Sequence, residues 1–227
     1  MSESQPPQQD VYERNPRQDV APHIPKHATS ALDVGCARGG FDLSLRQALG
    51  PRARIVGIEA NREAAELAAR DSEFDEVLTG YFPHVLEERD VTFDLICFND
   101  VLEHLVDPWT VLRSTHRFLA PDGHVLASIP NVQYAPVVWG LARGRFSYTQ
   151  TGILDRTHLR FFTRRSMIEM FQSTGFRVVS ANGINNITME YPRLFAGHRR
   201  KLRHALGSAQ WVQYVVVATS LDVGSQR

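Results

Sequence analysis

Short apolar runs alternate with amphipathic stretches along most of the chain, and this pattern predicts strands that alternate with helices. The first apolar run, 31–34, leads into a glycine-rich turn and then into FDLSLRQAL at 41–49, whose apolar spacing is typical of a helix. Further strands are predicted at 54–58, 76–79, 93–98, 124–129, 176–181 and 213–219, and further helices at 61–72, 109–119 and 164–175. Alternation of this kind predicts an α/β fold.

Three segments lack this pattern. Residues 1–10 are mostly Gln, Pro, Ser and acidic residues without apolar periodicity, and we expect a mobile tail. Residues 11–25 are interrupted by prolines, and they either fold over a ligand site or form an uninvolved linker. Residues 132–162 are rich in aromatic and charged side chains, so we expect an inserted lid with a short helix at 137–142. The predicted single domain is 11–227.

The balance of charge gives no general signal for a partner. The 227 residues contain 25 basic and 25 acidic side chains, so nothing favours nucleic acid or another charged polymer. No apolar run approaches the roughly 20 residues that span a bilayer, and no signal-like N-terminus is present, so we expect a cytoplasmic protein. Cys36 and Cys97 are expected to be reduced, and no metal site is expected.

The stretch at 31–40, ALDVGCARGG, carries the clearest chemistry. Gly35, Gly39 and Gly40 allow backbone N–H groups to approach a ligand, and the helix that follows directs its positive end at the same place. The next predicted strand ends at Glu59, and an acid there suits the hydroxyl groups of a ribose. This region therefore predicts a site for a nucleotide-like cofactor.

The details of this turn resemble class I S-adenosylmethionine (SAM)-dependent methyltransferases. Their first motif reads approximately hydrophobic-D-x-G-x-G-x-G, and Asp33, Gly35 and Gly39 match it. Ala37 replaces the middle glycine, which disfavours a dinucleotide pyrophosphate and leaves the approach of the methionine moiety in question. The resemblance implies a Rossmann-like fold: a seven-stranded, mostly parallel sheet with an antiparallel last strand and helices on both faces. It also implies SAM as cofactor.

The run FDLICFNDVLEHLVDP at 93–108 resembles the fourth-strand motif of the same family. Because the first and fourth strands flank the point where strand order reverses, Gly35 and Asn99 should face each other. The family often has an acid after the third strand, where this chain has Tyr81 and Phe82, which either contact the purine or simply pack. The expected cofactor residues are Asp33, Gly35, Ala37, Gly39, Glu59, Ala60, Tyr81, Phe82, Asn99 and Asp100.

The lid sequence resembles a methyltransferase subgroup associated with polysaccharide assembly, which implies O-methylation of a saccharide or another small hydroxylated acceptor. His158 in the lid and His104, expected at the start of the next helix, are candidates for the general base because a neutral imidazole accepts protons near neutral pH. Asp155 could orient an imidazole or accept a sugar hydroxyl. Purely structural roles are the alternatives. His104 could pack or cap a helix, and Asp155, Arg156 and Arg160 could hold the lid by ion pairing.

Other functions remain open from the sequence. Tyr134, Trp139 and Tyr148 would suit a flat natural-product or quinone-like acceptor, and an acid acceptor is a further possibility. Two departures from the family pattern, Ala37 and the absence of an acid after the third strand, weakly favour a SAM-binding module that does not catalyse. An NAD-linked oxidoreductase is a poorer alternative. The basic stretch at 197–204 is either a solvated face or a docking place for an anionic group.

Overall fold

The computed structural model describes residues 14–192 and 205–221. Seven strands form one sheet: β1 (Ser30–Val34), β2 (Arg54–Glu59), β3 (Glu76–Thr79), β4 (Phe93–Asn99), β5 (Leu119–Pro130), β6 (Phe176–Asn186) and β7 (Trp211–Ser220). Their order across the sheet is β3-β2-β1-β4-β5-β7-β6. The predicted tail at 1–10 and the basic stretch at 197–204 lie outside the described residues.

All pairings among β1 to β5 are parallel, whereas β7 is antiparallel to both of its neighbours. The predicted sheet, mostly parallel with an antiparallel last strand, is confirmed. Strand order reverses between β1 and β4, and a crevice opens at the carboxyl ends of strands at such a point. The cofactor site predicted from the sequence lies in this crevice.

The sheet is buried on both faces, as a parallel sheet requires. Alternation along β4 sends Ile96 and Phe98 into one apolar core, while Leu95 and Cys97 enter the core on the opposite face. Cys36 and Cys97 are both buried free thiols. The central strands are therefore fixed from both sides, which gives the loops at their ends a rigid base.

The helices are α1 (Phe41–Leu49), α2 (Arg62–Asp71), α3 (Pro108–Thr115), α4 (Ala135–Leu141), α5 (Arg164–Ser173) and α6 (Ile187–Glu190). Side chains of Asn61, Asp107 and Thr163 accept backbone N–H groups at the starts of α2, α3 and α5, as helix caps do. The helix of the lid, α4, begins two residues before the predicted helix at 137–142. In the described part of the chain, no helix is long and apolar enough to cross a bilayer.

Two local predictions are wrong. The helix expected at 109–119 ends at Thr115. β5 starts at Leu119, but its pairing with β4 passes from Leu119 directly to His124, so residues 120–123, with a φ of 60° at Asp122, form an irregular segment where the turn was expected. His104 does not start a helix but lies in a 3-10 turn at Leu102–His104, because α3 begins only at Pro108. Proline at a helix N-terminus explains that later start.

Candidate functional site

A cavity of about 770 Å³ opens at the carboxyl ends of β1 and β4. Its wall contains every residue predicted to contact the cofactor: Asp33, Gly35, Ala37, Gly39, Glu59, Ala60, Tyr81, Phe82, Asn99 and Asp100. The three catalytic candidates, His104, Asp155 and His158, line the same cavity. The fold thus brings both predicted groups into one space large enough for a cofactor and a small acceptor.

The glycine turn forms one end of the cavity. The N–H groups of Gly35 and Cys36 donate to the carbonyl oxygen of Ile58, at 2.8 and 3.0 Å, which ties the turn to the end of β2. Gly35 has a φ of 74° and Gly39 a φ of 84°, values in the left-handed region that glycine adopts without strain. Ala37 is also left-handed, with a φ of 48°, so alanine is held at a position that suits glycine.

Glu59 is fixed in place beside this turn. One carboxylate oxygen accepts from the N–H of Ala37 at 2.9 Å, and the other accepts from the N–H of Asn61 at 2.7 Å. Each carboxylate oxygen has two lone pairs, so both retain capacity for a further donor such as a ribose hydroxyl. The contact with Ala37 uses the backbone N–H, so it does not depend on the side chain at that position.

Asp100 is held by residues that the sequence analysis missed. The guanidinium of Arg17 donates to one carboxylate oxygen, and Gln213 Nε2 donates to the other at 2.7 Å. Arg17 also donates to Asp19, at 3.1 Å. Because Arg17 belongs to the segment at 11–25 and lines the cavity, that segment is not an uninvolved linker. No local pattern marks Arg17 or Gln213, since their partner is distant in sequence.

The two aromatic residues after β3 differ. Phe82 is buried and its ring packs edge-on against Phe98 and Phe118, with centroids 5.8 and 5.6 Å apart. Tyr81 is 71% exposed at the rim of the cavity. Phe82 therefore serves mainly as a core residue that also closes the cavity wall, and Tyr81 is the ring that is free to cover a ligand.

His104 and His158 meet at the other end of the cavity, with ring centroids 4.7 Å apart. Nδ1 of His158 lies 3.0 Å from the carbonyl oxygen of Ile153, and Nδ1 of His104 lies 3.3 Å from the carbonyl oxygen of Thr157. A carbonyl only accepts, so Nδ1 carries the proton in each neutral ring and Nε2 keeps its lone pair. Burial, followed by the neighbouring His158, lowers the pKa of His104 and favours the neutral form.

Asp155 is linked to one of the two histidines through Thr157. One of its carboxylate oxygens accepts from the N–H and the hydroxyl of Thr157, at 2.8 and 2.7 Å. The same hydroxyl oxygen lies 3.2 Å from Nδ1 of His104. Asp155 therefore orients an imidazole through Thr157, and that imidazole belongs to His104.

Glu103, also missed from the sequence, lies beside both histidines. Its side chain is 1% exposed, and neither carboxylate oxygen has a hydrogen-bond partner among the described residues. Burial, followed by the negative charge of Asp100, raises its pKa well above the usual range. Its backbone carbonyl accepts from the N–H groups of Leu159 and Arg160, at 2.9 and 3.0 Å. These two bonds hold the end of the lid beside the cavity.

Other predictions for the lid are wrong. Among the described residues no ion pair involves Asp155, Arg156 or Arg160, and Nε of Arg160 donates instead to the carbonyl oxygen of Val106 at 3.1 Å. The aromatic residues expected to hold a flat acceptor do not line the cavity. Trp139 and Tyr148 are 62% and 58% exposed, and Tyr134 is buried in a small separate apolar cluster.

A family model described as a methyltransferase domain matches residues 10–181, which is most of the chain. The chain belongs to the methyltransferase domain family. This confirms the predicted family, and SAM is its methyl donor. The part of the methyltransferase outside the match includes β7, which completes the sheet.

Relatives and solved structures agree with this assignment. The methyltransferase is 28% identical over 178 residues to the mitochondrial ubiquinone biosynthesis O-methyltransferase of Bos taurus, a match that covers 73% of this chain but only 46% of that protein. A SAM-dependent methyltransferase from Archaeoglobus fulgidus is 15% identical and superposes with a TM-score of 0.61, with 83% and 85% of the two chains covered.

A third similar protein is the Burkholderia thailandensis 1,6-didemethyltoxoflavin-N1-methyltransferase, whose structure contains bound 1,6-didemethyltoxoflavin and S-adenosylhomocysteine. It is 17% identical, with a TM-score of 0.57 over 92% of this chain and 80% of that one. At such identities the structural likeness shows the fold. The predicted Rossmann-like methyltransferase fold is confirmed.

The cavity of this methyltransferase fits SAM on its own chemistry. Asp33 Oδ1 and both polar side-chain atoms of Asn99 are buried, and apart from the contact between these two side chains they have no hydrogen-bond partner among the described residues. Burial, and next the charge of Asp42, raises the pKa of Asp33 to about 8. A ligand that brings amine donors relieves such atoms, and each buried group left unpaired costs about 1–3 kcal/mol. SAM carries amino groups at both ends, so the donor set and the wall match.

Proposed function

We propose that this chain transfers the methyl group of SAM to an oxygen of a small hydroxylated acceptor, with a saccharide as the first choice of acceptor class. The observation that carries the proposal is the shared cavity, in which the glycine turn lies at one end and the imidazoles of His104 and His158 lie at the other. The cofactor supplies an activated methyl, and the protein aligns the acceptor oxygen and helps remove its proton.

The proposed roles at the cofactor end follow the wall of the cavity. Glu59 accepts the ribose hydroxyls, and the turn from Gly35 to Gly39 approaches the methionine moiety. Asn99 and Asp33 accept from amino groups, and Tyr81 covers the purine. Asp100 contributes by holding Arg17 and Gln213 against the site.

At the acceptor end we assign proton removal to His158. Its Nδ1–H is held by the carbonyl of Ile153, so Nε2 is oriented as a proton acceptor, and the ring is 9% exposed. Its neighbour His104 is oriented through Thr157 and Asp155. A positioned base commonly contributes about a hundredfold to ten-thousandfold to the rate.

A second acceptor class is a phenol related to quinones. The printed names of the relatives favour it, because several are ubiquinone biosynthesis O-methyltransferases. Against it, the aromatic side chains of the lid that would stack on a flat ring lie away from the cavity. The lining near the histidines mixes polar and apolar side chains, which suits a compact hydroxylated molecule.

The experiment is a methyl-transfer screen with labelled SAM against saccharide, phenol and carboxylate acceptors. Label in a saccharide product supports the first choice, and label only in phenols selects the second. Binding of SAM by calorimetry together with no transfer to any of the three classes would instead favour a SAM-binding module. Binding of NAD without binding of SAM would contradict the proposal altogether.

A further inference from the structure

Glu103, His104 and His158 form a cluster at the acceptor end of the cavity. A ring nitrogen of each histidine and a carboxylate oxygen of Glu103 lie within 4.8 Å of one another. Two imidazoles and a carboxylate form a donor set that binds divalent transition metals such as Zn²⁺ and Co²⁺. Since each bond to such an ion is about 2.0–2.2 Å, two ligands lie at most roughly 4 Å apart, and a shift of about 1 Å or less closes the set.

Glu103 supplies an independent reason to expect a cation. Its carboxyl group is almost completely buried, lines the cavity, and has no hydrogen-bond partner on either oxygen among the described residues. Burial of a carboxylate is unfavourable unless a charge or donor compensates it. The two histidines next to it offer Nε2 lone pairs rather than donors, because their Nδ1–H groups already bond to carbonyl oxygens. In the ligand-free protein the raised pKa of Glu103 keeps a proton on this group, and a cation bound among the three side chains would displace that proton.

The contacts behind the two rings match those of metal-binding histidines. Such a histidine almost always donates its second ring N–H to a carbonyl or carboxylate, which fixes the ring and makes the free nitrogen a better ligand. Ile153 provides this carbonyl for His158, and Thr157 provides it for His104. Thr157 in turn donates its hydroxyl to Asp155. The orientation of both rings is therefore set before a ligand arrives.

We propose that Glu103, His104 and His158 bind one divalent transition-metal cation, with an open coordination position for an acceptor oxygen. This role rests on the proposed function. A cation with three protein ligands polarises a hydroxyl bound at the remaining position. The methyl passes from the sulfonium to that oxygen, and the hydroxyl proton passes to water. In the loaded protein the cation occupies the lone pair of His158 that otherwise accepts the proton.

The test is binding of Co²⁺ to the chelator-treated full chain, followed by its visible absorption spectrum and by competition with Zn²⁺. Wild-type protein should bind one equivalent with bands typical of nitrogen and oxygen ligands. Glu103→Gln and His158→Gln should each weaken binding at least about tenfold, since changes even behind the ligands cost about that much. Thr157→Val should weaken it less than either. His84→Gln, at an exposed histidine that does not line the cavity, is the matched control and should bind as wild type does.

Thermal melts and SAM calorimetry on the same variants separate loss of the cation site from loss of the fold. Absence of a stoichiometric cation in wild type would overturn the inference, and so would equal affinity in wild type, Glu103→Gln and His158→Gln. Cation binding without methyl transfer to any acceptor would refute the proposed function but leave the site in place. Transfer that stops on chelation and returns with Zn²⁺ would support the cation site and methyl transfer in this cavity, and would assign proton removal to water and not to His158.

Discussion

The two ends of the cavity are built differently. At the cofactor end, the glycine turn and Glu59 are joined by hydrogen bonds between residues no more than about two dozen positions apart, within one strand-turn-helix-strand unit. At the acceptor end, His158 reaches His104 only because the lid at 132–162 returns to the 3-10 turn after β4, where Leu159 and Arg160 donate to the carbonyl of Glu103.

This difference has a functional consequence. The cofactor end uses mainly backbone groups and a short local motif, together with Asn99 and Asp100 at the end of β4. The acceptor end uses side chains from two distant segments, so its chemistry can change with the lid while the cofactor end stays the same. Changes at the first end should therefore alter SAM affinity, and changes at the second should alter the rate of transfer.

The largest effect should come from Gly35→Val. A Cβ at Gly35 would lie 2.7 Å from Val101 Cγ2, and its φ of +74° disfavours a branched side chain. We expect SAM binding to fall below detection by calorimetry while the melt remains cooperative. Gly50→Val is the matched control, because Gly50 also has a positive φ but nothing lies within 4 Å of its added Cβ. If Gly35→Val binds SAM as well as Gly50→Val does, the glycine turn is not part of a cofactor site.

Next in size is His158→Ala, which tests the acceptor end. Loss of the proton acceptor should lower the rate of methyl transfer about a hundredfold, with SAM affinity unchanged. Single-turnover rates and calorimetry measure the two quantities separately, and His84→Ala serves as the control. A normal rate in His158→Ala with a low rate in His104→Ala would assign the base to His104. Normal rates in both would indicate an acceptor that ionises without help.

A smaller effect is expected from Glu59→Ala. The variant removes an acceptor for the ribose hydroxyls and leaves the N–H groups of Ala37 and Asn61 without their partner. SAM affinity should weaken by about 1–3 kcal/mol, the usual cost of leaving ribose hydroxyls without an acceptor in a closed site. The exposed acid Glu63, changed to Ala, is the control. Calorimetry that gives wild-type affinity for Glu59→Ala would place the ribose elsewhere in the cavity.

The smallest effect concerns Asp33 and pH. Its pKa is raised to about 8 by burial and by Asp42, whereas the unfolded carboxyl titrates near 3.8. Between these values the folded protein holds a proton that the unfolded chain has lost, so a rise in pH lowers the free energy of unfolding. From about pH 6 to about pH 7 the loss should be at most ~1.4 kcal/mol more for wild type than for Asp33→Asn.

Chemical denaturation of the ligand-free protein at the two pH values measures this difference. The comparison between wild type and Asp33→Asn cancels the contributions of other raised groups, such as Glu103. Glu59 and Arg17 also face Asp33, and both remain in the variant. Identical pH slopes in the two proteins would mean that Asp33 keeps a normal pKa.

The same contrast explains what the sequence could predict. The strands and most helices follow from apolar periodicity, and the cofactor residues follow from a turn whose backbone geometry requires glycine at Gly35 and Gly39. Arg17 and Gln213 were missed because they meet Asp100 across 83 and 113 residues, and no local pattern records such a pairing. Glu103 was missed because its burial depends on the whole fold, which no local sequence pattern records.

The turn expected at 121–123 coincides with an irregular part of β5. Pro121, Asp122 and Gly123 have the local chemistry of a turn, and the pairing with β4 passes from Leu119 to His124 without them, with a φ of 60° at Asp122. Local preference persists there because no pairing with β4 opposes it. The prediction that aromatic side chains of the lid hold a flat acceptor failed for another reason. Composition shows which side chains a loop contains but not the direction in which they point.

Transfer of a ¹³C-labelled methyl group from SAM, with the product identified by nuclear magnetic resonance, tests the central claim most directly. The account predicts that wild-type protein places the label on an oxygen of a hydroxylated acceptor, that Gly35→Val makes no product, and that His158→Ala makes the same product slowly. A label on nitrogen or carbon, or full SAM binding with no product from any hydroxylated acceptor, would contradict it.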